Sequence, residues 1–252
     1  MRPSWLLLSY GLGRKAWRHL ASKLSPRLAG RFAVLPANSS SGARPRVENA
    51  TQRAYRHVKE RLLDGRFPGG TLLSENALAQ QLEISRTPIR QAFGQLEAEG
   101  LVELYPRRGA LVVPISASEA DDVHEARELI ESHCARRASG AHLQQELHAA
   151  IEAQEVALAA GGGGFAEQDR RFHRAIVAAA GNDLLTRAYD ALADRQQRIA
   201  ATTVARDPSR IERFIAEHRE IAAALADDDG DVAAERLSAH LRSAHALSRR
   251  RG

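Results

Sequence analysis

The fold of this chain follows from residues 74–113, which read SENALAQQLEISRTPIRQAFGQLEAEGLVELYPRRGALVV. Near the start of this stretch, Ala77, Leu78 and Leu82 have the spacing of one face of a helix. The pattern breaks at residues 83–84, and a second helical pattern begins directly afterwards. The stretch therefore opens with two short helices joined by a tight turn.

The second helix carries its own start and stop signals. Ser85 stands where an N-cap belongs, and Pro88 falls in the first turn, where a missing N–H group is tolerated. Gly100 marks the end of the helix. The residues predicted to face inward are Ile89, Phe93 and Leu96.

A β-hairpin follows the second helix. Val102 and Leu104 alternate with a polar residue, residues 106–109 form a turn, and residues 111–113 run back. Two helices and a basic-tipped hairpin make a winged helix-turn-helix, which the sequence predicts for residues 48–115.

This arrangement suits the readout of duplex DNA. A recognition helix presents base-reading groups from its N-terminal end, where arginine bound to guanine is the commonest specific contact. Hydroxyls and free N–H groups at the same end suit phosphate oxygens. The alternative is a helical hairpin whose arginines are only solvated. The candidate DNA-binding residues are Ser85, Arg86, Thr87 and Arg90 on the helix, with Arg107, Arg108 and a flexible Gly109 on the wing.

Residues 54–114 resemble the N-terminal domain of the GntR family of bacterial transcription regulators. The resemblance is carried by SRTPIRQAFGQLEAEGLV at 85–102 and by the connection GRFPGGTL at 65–72. Two positions depart from the family pattern. Glu83 stands where the turn commonly carries glycine, and Asn76 stands where some members place an arginine on DNA.

Length and charge set the frame for the whole chain. Its 252 residues are enough for two modest domains, and its few aromatic residues and many alanines favour helix. The formal net charge is +5, and subtracting the nine Lys or Arg of the acid-free residues 1–47 leaves −4 for residues 48–252. DNA affinity is therefore expected from placed arginines and dimerisation rather than from a general basic field.

Residues 1–47 are predicted to be a basic, disordered extension, or to follow from a start codon assigned too far upstream. The alternative is a basic arm that adheres to DNA or to a membrane. The apolar run at residues 5–8 is too short for a secretory signal, and no apolar run is long enough to span a membrane. A single cysteine, Cys134, excludes an intramolecular disulfide, so we expect a cytoplasmic, nucleoid-associated protein.

Residues 116–252 show only helical patterns, six in number, which predict an antiparallel bundle. Ser118 is expected to cap the first of these helices together with Asp121. Asn182 is expected to cap the fourth, which continues through Ile199. The predicted fold class is therefore mainly α, with an N-terminal winged helix-turn-helix and a C-terminal antiparallel all-α bundle.

Four polar residues of the bundle have the spacing of a metal site. Asp169 and His173 are four residues apart and share a helix face. His218 and His240 each lie eleven residues from Asp229, at the turn between the last two helices. At about 1.5 Å per residue, both imidazoles then stand roughly 16 Å from the turn. The set suits Zn²⁺ or a similar divalent ion such as Ni²⁺, Mn²⁺ or Fe²⁺; the alternative is four scattered polar residues.

Residues 119–246 resemble the FCD effector-binding domain of the FadR-like branch of GntR regulators. The matching segments are ARELIES at 126–132, DRRFH at 169–173, AGNDLL at 180–185, EHREI at 217–221 and AHL at 239–241. The resemblance implies metal ligands at Asp169, His173, His218 and His240.

The same resemblance implies that Arg127 borders the cavity and pairs with the carboxylate of a small effector. The alternative for Arg127 is an ion pair with Glu131, one helical turn away. Asn182 is expected to serve first as a helix cap and second as an effector contact.

The expected function is a ligand-responsive, DNA-binding transcription regulator, acting as a repressor and a homodimer. Two copies are expected because one winged helix reads only a few base pairs, and two-fold symmetry matches a palindromic operator. A small organic acid bound at the metal would release the DNA. The alternatives are a metal-sensing repressor and a metal-dependent enzyme that carries a DNA-binding module.

Overall fold

The computed structural model describes residues 48–248. The extension predicted over residues 1–47 and the frayed end predicted at residues 249–251 lie outside the described residues. Within the described part of the chain, no helix is both long enough and apolar enough to cross a membrane.

The N-terminal part of the described chain is a winged helix-turn-helix, as predicted. Its first helix begins with a reciprocal cap, in which the Asn49 side chain accepts from the Gln52 backbone N–H at 2.8 Å and the Gln52 side chain accepts in return. The elements between residues 48 and 115 are α1 (Ala50–Leu63), β1 (Leu72–Leu73), α2 (Glu75–Leu82), α3 (Arg86–Ala98), β2 (Val102–Tyr105) and β3 (Gly109–Val112).

These elements enclose one small core. Ile89, Phe93 and Leu96 are fully buried, as the helical pattern predicts. The pattern on α2 is wrong at one position, since Ala77 is exposed and Ala79 is buried in its place. The helix is only two turns long, so the packing of its neighbours decides which residues face the core.

The three strands form an antiparallel sheet in the order β1-β3-β2. In the hairpin, Val102 pairs with Val112 and Tyr105 pairs with Gly109. Strand β1 was not predicted, because two residues are too short to show an alternating pattern. Its residue Leu73 pairs with Ala110 and so ties the segment before α2 to the wing.

The turn between α2 and α3 contains the first departure from the family pattern. Glu83 adopts the left-handed conformation, with φ 54° and ψ 43°, and its N–H donates to the carbonyls of Ala79 and Gln80. A side chain in this conformation costs about 1–2 kcal/mol, which explains why glycine is common at this position.

The C-terminal part is the predicted antiparallel bundle. Its core is formed mainly by apolar residues of α5, α6, α9 and α10, with Phe172, Ile176 and Leu237 among the fully buried side chains. The described helices after residue 115 are α4 (Ala117–Ala135), α5 (Ala141–Ala159), α6 (Phe165–Ala179), α7 (Asp183–Asp190), α8 (Ala193–Arg206), α9 (Arg210–Ala226) and α10 (Gly230–Ser248).

Two details of the bundle correct the sequence predictions. The first bundle helix is capped by Ser116, whose hydroxyl accepts from the N–H of Glu119 at 3.0 Å, and not by Ser118. The predicted fourth helix is two helices, because the chain bends at residues 191–192. The bend lets Tyr189 of α7 pack beside Cys134 while α8 packs on α6.

Helix α8 also contacts the winged helix-turn-helix. The Lys59 ammonium of α1 lies 2.8 Å from Asp194 Oδ2 of α8. The guanidinium of Arg198, also on α8, donates to the backbone carbonyl of Val113 beside the wing. One helix of the bundle therefore bears directly on the DNA-binding fold.

Candidate metal centre and nucleic-acid interface

The structure brings together the four residues that the sequence analysis singled out as metal ligands. Asp169 and His173 come from α6, His218 from α9 and His240 from α10. All four side chains are buried, and one ligand atom from each lies within 4.8 Å of those of the other three. This is the donor set of a divalent-metal site in a bundle core.

Each histidine ring is held by a hydrogen bond at Nδ1. His173 Nδ1 lies 2.7 Å from Glu131 Oε2, and His218 Nδ1 lies 2.8 Å from Gln154 Oε1. His240 Nδ1 lies 2.7 Å from Glu217 Oε2. Because the three partners are acceptors, each Nδ1 carries the proton and each Nε2 presents a lone pair in the neutral ring.

The three Nε2 atoms therefore face one another with no proton to share. His218 Nε2 lies 3.3 Å from His240 Nε2, and Asp169 Oδ1 lies 3.6 Å from His218 Nε2. Among the described residues, buried His173 Nε2 has no hydrogen-bond partner. Leaving a buried polar atom unsatisfied costs about 1–3 kcal/mol, and a cation among these lone pairs removes that cost. The residues present thus fit a divalent metal ion.

The electrostatics favour the ligand-competent forms of two of these groups. Burial, with the neighbouring His240 and His173, holds the pKa of His218 well below its ordinary value, so this ring is neutral at pH 7. Burial opposes ionisation of Asp169, but His173 and His218 more than offset it and hold the pKa of Asp169 low. In the metal-free protein the pKa of His173 is raised, because Glu131 outweighs burial.

A polar network extends from the centre to Arg127. Glu131 accepts from Arg127 Nε at 2.7 Å and from the Tyr189 hydroxyl at 2.9 Å. The Gln196 amide oxygen faces Arg127 Nη2 at 3.1 Å in the amide orientation that satisfies both groups. Burial raises the pKa of Glu131, but Arg127 and His173 lower it further, to about 2. The ion pair expected between Arg127 and Glu131 is present, so Glu131 serves two partners at once.

Sequence reasoning missed Gln154 and Glu217 as partners of the histidines. Gln154 had a detectable signal, because it interrupts the apolar face that includes Leu147 and Ile151 on α5 and is itself completely buried. Glu217 had none, since the ring that it holds, His240, belongs to another helix. A polar residue at an inward position of an apolar face indicates a partner, although it does not identify that partner.

A cavity of about 50 Å³ adjoins the metal centre, enough for roughly three water molecules. Arg127, Asp169 and His240 line one side of it, and α8 contributes Ile199 and Thr203. Asn182 does not line this cavity. It is exposed and caps α7, where its side-chain oxygen accepts from two backbone N–H groups.

The predicted DNA-contacting residues of α3 lie together at its exposed N-terminal end. Ser85 has the position and backbone of an N-cap but makes no side-chain capping bond, so its hydroxyl is available to another partner. Arg86 and Arg90 both bind the carboxylate of Glu75 on α2, at 2.9 and 2.8 Å. Thr87 lies between them and is exposed. Glu75 was not singled out from the sequence.

The wing presents Arg107 and Arg108 as exposed side chains at the turn. The expectation of a flexible Gly109 beside them is wrong. Gly109 is buried, begins β3, has φ 119°, and leaves no room for a Cβ atom, which would lie 2.0 Å from the Leu73 carbonyl oxygen. It allows β1 and β3 to approach closely.

Comparisons with known proteins decide the family. The family described as bacterial regulatory proteins, gntR family, matches residues 50–112, and the FCD domain matches residues 122–243. A probable D-xylose utilization operon transcriptional repressor of Paenarthrobacter nicotinovorans is 31% identical over 183 residues, which cover 71% of this chain and 80% of that protein. The chain belongs to the GntR family. It is therefore a DNA-binding transcription regulator with an FCD effector-binding domain, and not an enzyme.

Other relatives of this GntR regulator agree in fold and class. The HTH-type transcriptional repressor RspR of Escherichia coli K12 is 28% identical over 208 residues, 77% of this chain and 87% of that protein. The crystal structure of a putative transcriptional regulator GntR from Rhodococcus sp. RHA1 superposes with a TM-score of 0.67 at 22% identity, over 79% of this chain and 96% of that one. GntR regulators bind DNA operators and typically form dimers.

Proposed function

We propose that this GntR regulator is a repressor that binds a palindromic operator as a homodimer and releases it when a small carboxylic acid binds beside a divalent metal ion. The winged helix-turn-helix would comprise residues 48–115, and the effector- and metal-binding domain would begin at residue 116. The ion would be held by Asp169, His173, His218 and His240, with Zn²⁺ the expected metal and Ni²⁺, Mn²⁺ and Fe²⁺ the alternatives.

One observation carries this proposal: three imidazoles, each held by an acceptor at Nδ1, converge with a carboxylate at the wall of a cavity that also contains Arg127. A bound ion would supply positive charge at that wall. Arg127 would bind the effector carboxylate by charge-assisted hydrogen bonds. Gln196, which contacts Arg127, lies on α8, so a ligand at Arg127 acts on the same helix that contacts α1 and the segment after the wing.

On DNA, Arg86 and Arg90 would read base edges. Ser85 and Thr87 would bind phosphate, and Arg107 and Arg108 would reach a flanking groove or the backbone. Two arginines that share one carboxylate in the free protein can exchange it for guanine acceptors on the operator. A protein whose 48–252 region carries net negative charge depends on such placed contacts.

The test compares the full-length protein with His218→Ala, using His142→Ala, an exposed histidine of α5, as the matched control. Elemental analysis should find about one metal ion per chain in the protein and the control, and little in His218→Ala. The variant should also melt at a lower temperature, because an ion bound to the native state stabilises it.

Operator release is measured on a sequence that the protein itself selects from a random DNA library, with a panel of two- to six-carbon carboxylates. The selected site should be a palindrome, and His218→Ala should stay bound with every acid that releases the unchanged protein. Equal, near-zero metal in both proteins with a normal response to the acids would overturn the metal site. Release by a chelator alone would favour the metal-sensing alternative.

A further inference from the structure

The cavity beside the metal centre has a second polar end, formed by His124 of α4 and His245 of α10. The two imidazole rings stack in parallel, with centroids 4.2 Å apart and planes inclined by 1°. Both residues line the same cavity as Arg127 and His240. The proposed function does not use this pair, although two imidazoles facing a ligand cavity are well suited to hydrogen bonding.

The direction of the two helices fixes where this pair lies. Glu128 of α4 accepts from Ser238 of α10 at 2.8 Å, while Arg136, farther along α4, binds Asp231 near the start of α10. Positions that rise along α4 therefore meet positions that fall along α10. The two helices are antiparallel.

In antiparallel helices, His124 and His245 are displaced toward the same end of the cavity. His124 precedes Arg127 by three residues, and His245 follows His240 by five. At about 1.5 Å per residue, five residues correspond to roughly 7.5 Å along α10. An extended four-carbon chain with a polar group at each end has about the length needed to touch the metal centre and the histidine pair.

The charges around the histidine pair select the kind of polar group. His245 Nε2 lies 3.0 Å from Asp121 Oδ1, and His124 Nε2 lies 3.6 Å from Glu128 Oε2, which also binds Arg242. Burial and the neighbouring His245 lower the pKa of His124, so its ring is neutral at pH 7. A ligand carboxylate would meet two protein carboxylates here, whereas a hydroxyl meets groups that donate and accept hydrogen bonds.

The opposite end has the opposite preference. Arg127 and a divalent ion attract a carboxylate there. Between the two ends the cavity wall is apolar, with Val123, Ile199 and Leu241, which suits a short carbon chain.

We propose that the effector is a hydroxycarboxylic acid: its carboxylate lies at the metal centre and Arg127, and a hydroxyl about four carbons away is bound by His124 and His245. This inference rests on the proposed function, which supplies the carboxylate at the metal. It adds the chemical class of the effector and assigns the two residues that select it.

Three acids of equal chain length test the inference on the zinc-loaded, full-length protein at pH 7.5: butyrate, 4-hydroxybutyrate and succinate. Isothermal titration calorimetry should give about tenfold tighter binding for 4-hydroxybutyrate than for butyrate, the value of one or two hydrogen bonds. Succinate should bind more weakly than 4-hydroxybutyrate, because its second carboxylate faces Asp121 and Glu128.

The variants His124→Phe and His245→Phe keep an aromatic ring but remove the ring nitrogens. Each should lower the preference for 4-hydroxybutyrate over butyrate to within about twofold and leave butyrate affinity unchanged. His142→Phe, on the surface of α5, is the control and should keep the full preference.

The outcomes separate this inference from the function on which it rests. If butyrate binds as tightly as 4-hydroxybutyrate, or if succinate binds most tightly, the assignment of the histidine pair is overturned while the metal-anchored carboxylate stands. If none of the three acids binds, the carboxylate effector itself is overturned. The affinities of the three acids for the unchanged protein discriminate these outcomes even if a phenylalanine variant fails to fold.

Discussion

At the scale of single residues, the candidate metal centre is defined as much by the acceptors behind the histidines as by the histidines themselves. An imidazole can present either nitrogen, and the acceptor at Nδ1 decides that Nε2 faces inward. Glu131 holds His173, and it also binds Arg127 and Tyr189. The orientation of a ligand and the position of the effector-binding arginine therefore depend on one buried carboxylate.

Replacing one of these acceptors should weaken metal binding without removing a ligand. We expect Gln154→Leu to lower zinc affinity about 10- to 100-fold, because His218 loses the hydrogen bond that fixes its tautomer. Competition with a chromogenic chelator measures the affinity. Gln145→Leu, an exposed position on the same helix, should change nothing. Unchanged zinc affinity in Gln154→Leu would show that the acceptor does not orient the ligand.

The recognition arginines are the second residue-scale feature. We expect Arg86→Ala and Arg90→Ala each to weaken binding to the selected operator by about 1–3 kcal/mol, the value of a bidentate contact to a base. Fluorescence anisotropy at fixed salt measures this loss. Arg171→Ala, an exposed arginine of the bundle, is the matched control. An effect equal on specific and random DNA would reassign the arginine to phosphate contact.

At the scale of elements, the wing depends on a strand of only two residues. β1 pairs with β3 and leads directly into α2, whose N-cap Ser74 accepts from the Ala77 N–H at 3.4 Å. The wing and the helix-turn-helix are therefore one packed unit rather than a hairpin attached by its ends. Gly109 sits where the backbones of β1 and β3 come closest.

Adding one methyl group at that point should destabilise the fold. Gly109→Ala places a Cβ 2.0 Å from the Leu73 carbonyl oxygen in a backbone with positive φ, and we expect a loss of about 1–3 kcal/mol in the free energy of unfolding. Gly94→Ala is the control. Its Cβ has no neighbour within 4 Å, and alanine in helix α3 should stabilise by about 0.5–1 kcal/mol. Urea titration of both variants measures the difference; equal stability would contradict the close approach.

At the scale of the whole molecule, α8 joins the effector cavity to the DNA-binding fold. One side of the helix lines the cavity with Ile199 and Thr203. Elsewhere, Asp194 binds Lys59 of α1, which also binds Glu99. Burial lowers the pKa of Lys59, but Asp194 and Glu99 more than offset it and raise the pKa, so Lys59 stays charged at neutral pH. A displacement of α8 by a ligand would therefore act on a charged contact of α1.

Weakening this contact should reduce communication and leave binding at both sites intact. An effector typically changes DNA affinity 5- to 150-fold through such coupling. We expect Asp194→Asn to reduce that change roughly twofold to fivefold, since a partly exposed ion pair contributes up to about 1 kcal/mol. Metal content and effector affinity should not change.

The measurement is operator affinity with and without a carboxylate that releases the unchanged protein. Asp190→Asn, which removes an ion pair with Arg174 inside the bundle, is the matched control and should keep the full response. If Asp194→Asn responds like the control, the signal does not pass through Lys59.

Features that depend on near neighbours in the chain could be predicted from the amino-acid sequence. Helix spacing and caps predicted the winged helix-turn-helix and the helical bundle, because a helix face and a turn are specified within a few residues. Spacing likewise placed Asp169 beside His173, and the equal distances of His218 and His240 from their turn predicted a common height in the hairpin.

Contacts between distant residues emerged only from the packed fold. Gln154 reaches His218 across 64 residues, and Glu75 binds Arg90 from another helix. The bend between α7 and α8 and the strand β1 also follow from partners remote in sequence. No local pattern specifies such contacts, because many surfaces satisfy the same apolar face until the packed core selects one. For that reason the sequence predicted the ligands of the centre, and only the fold identified the residues that orient them.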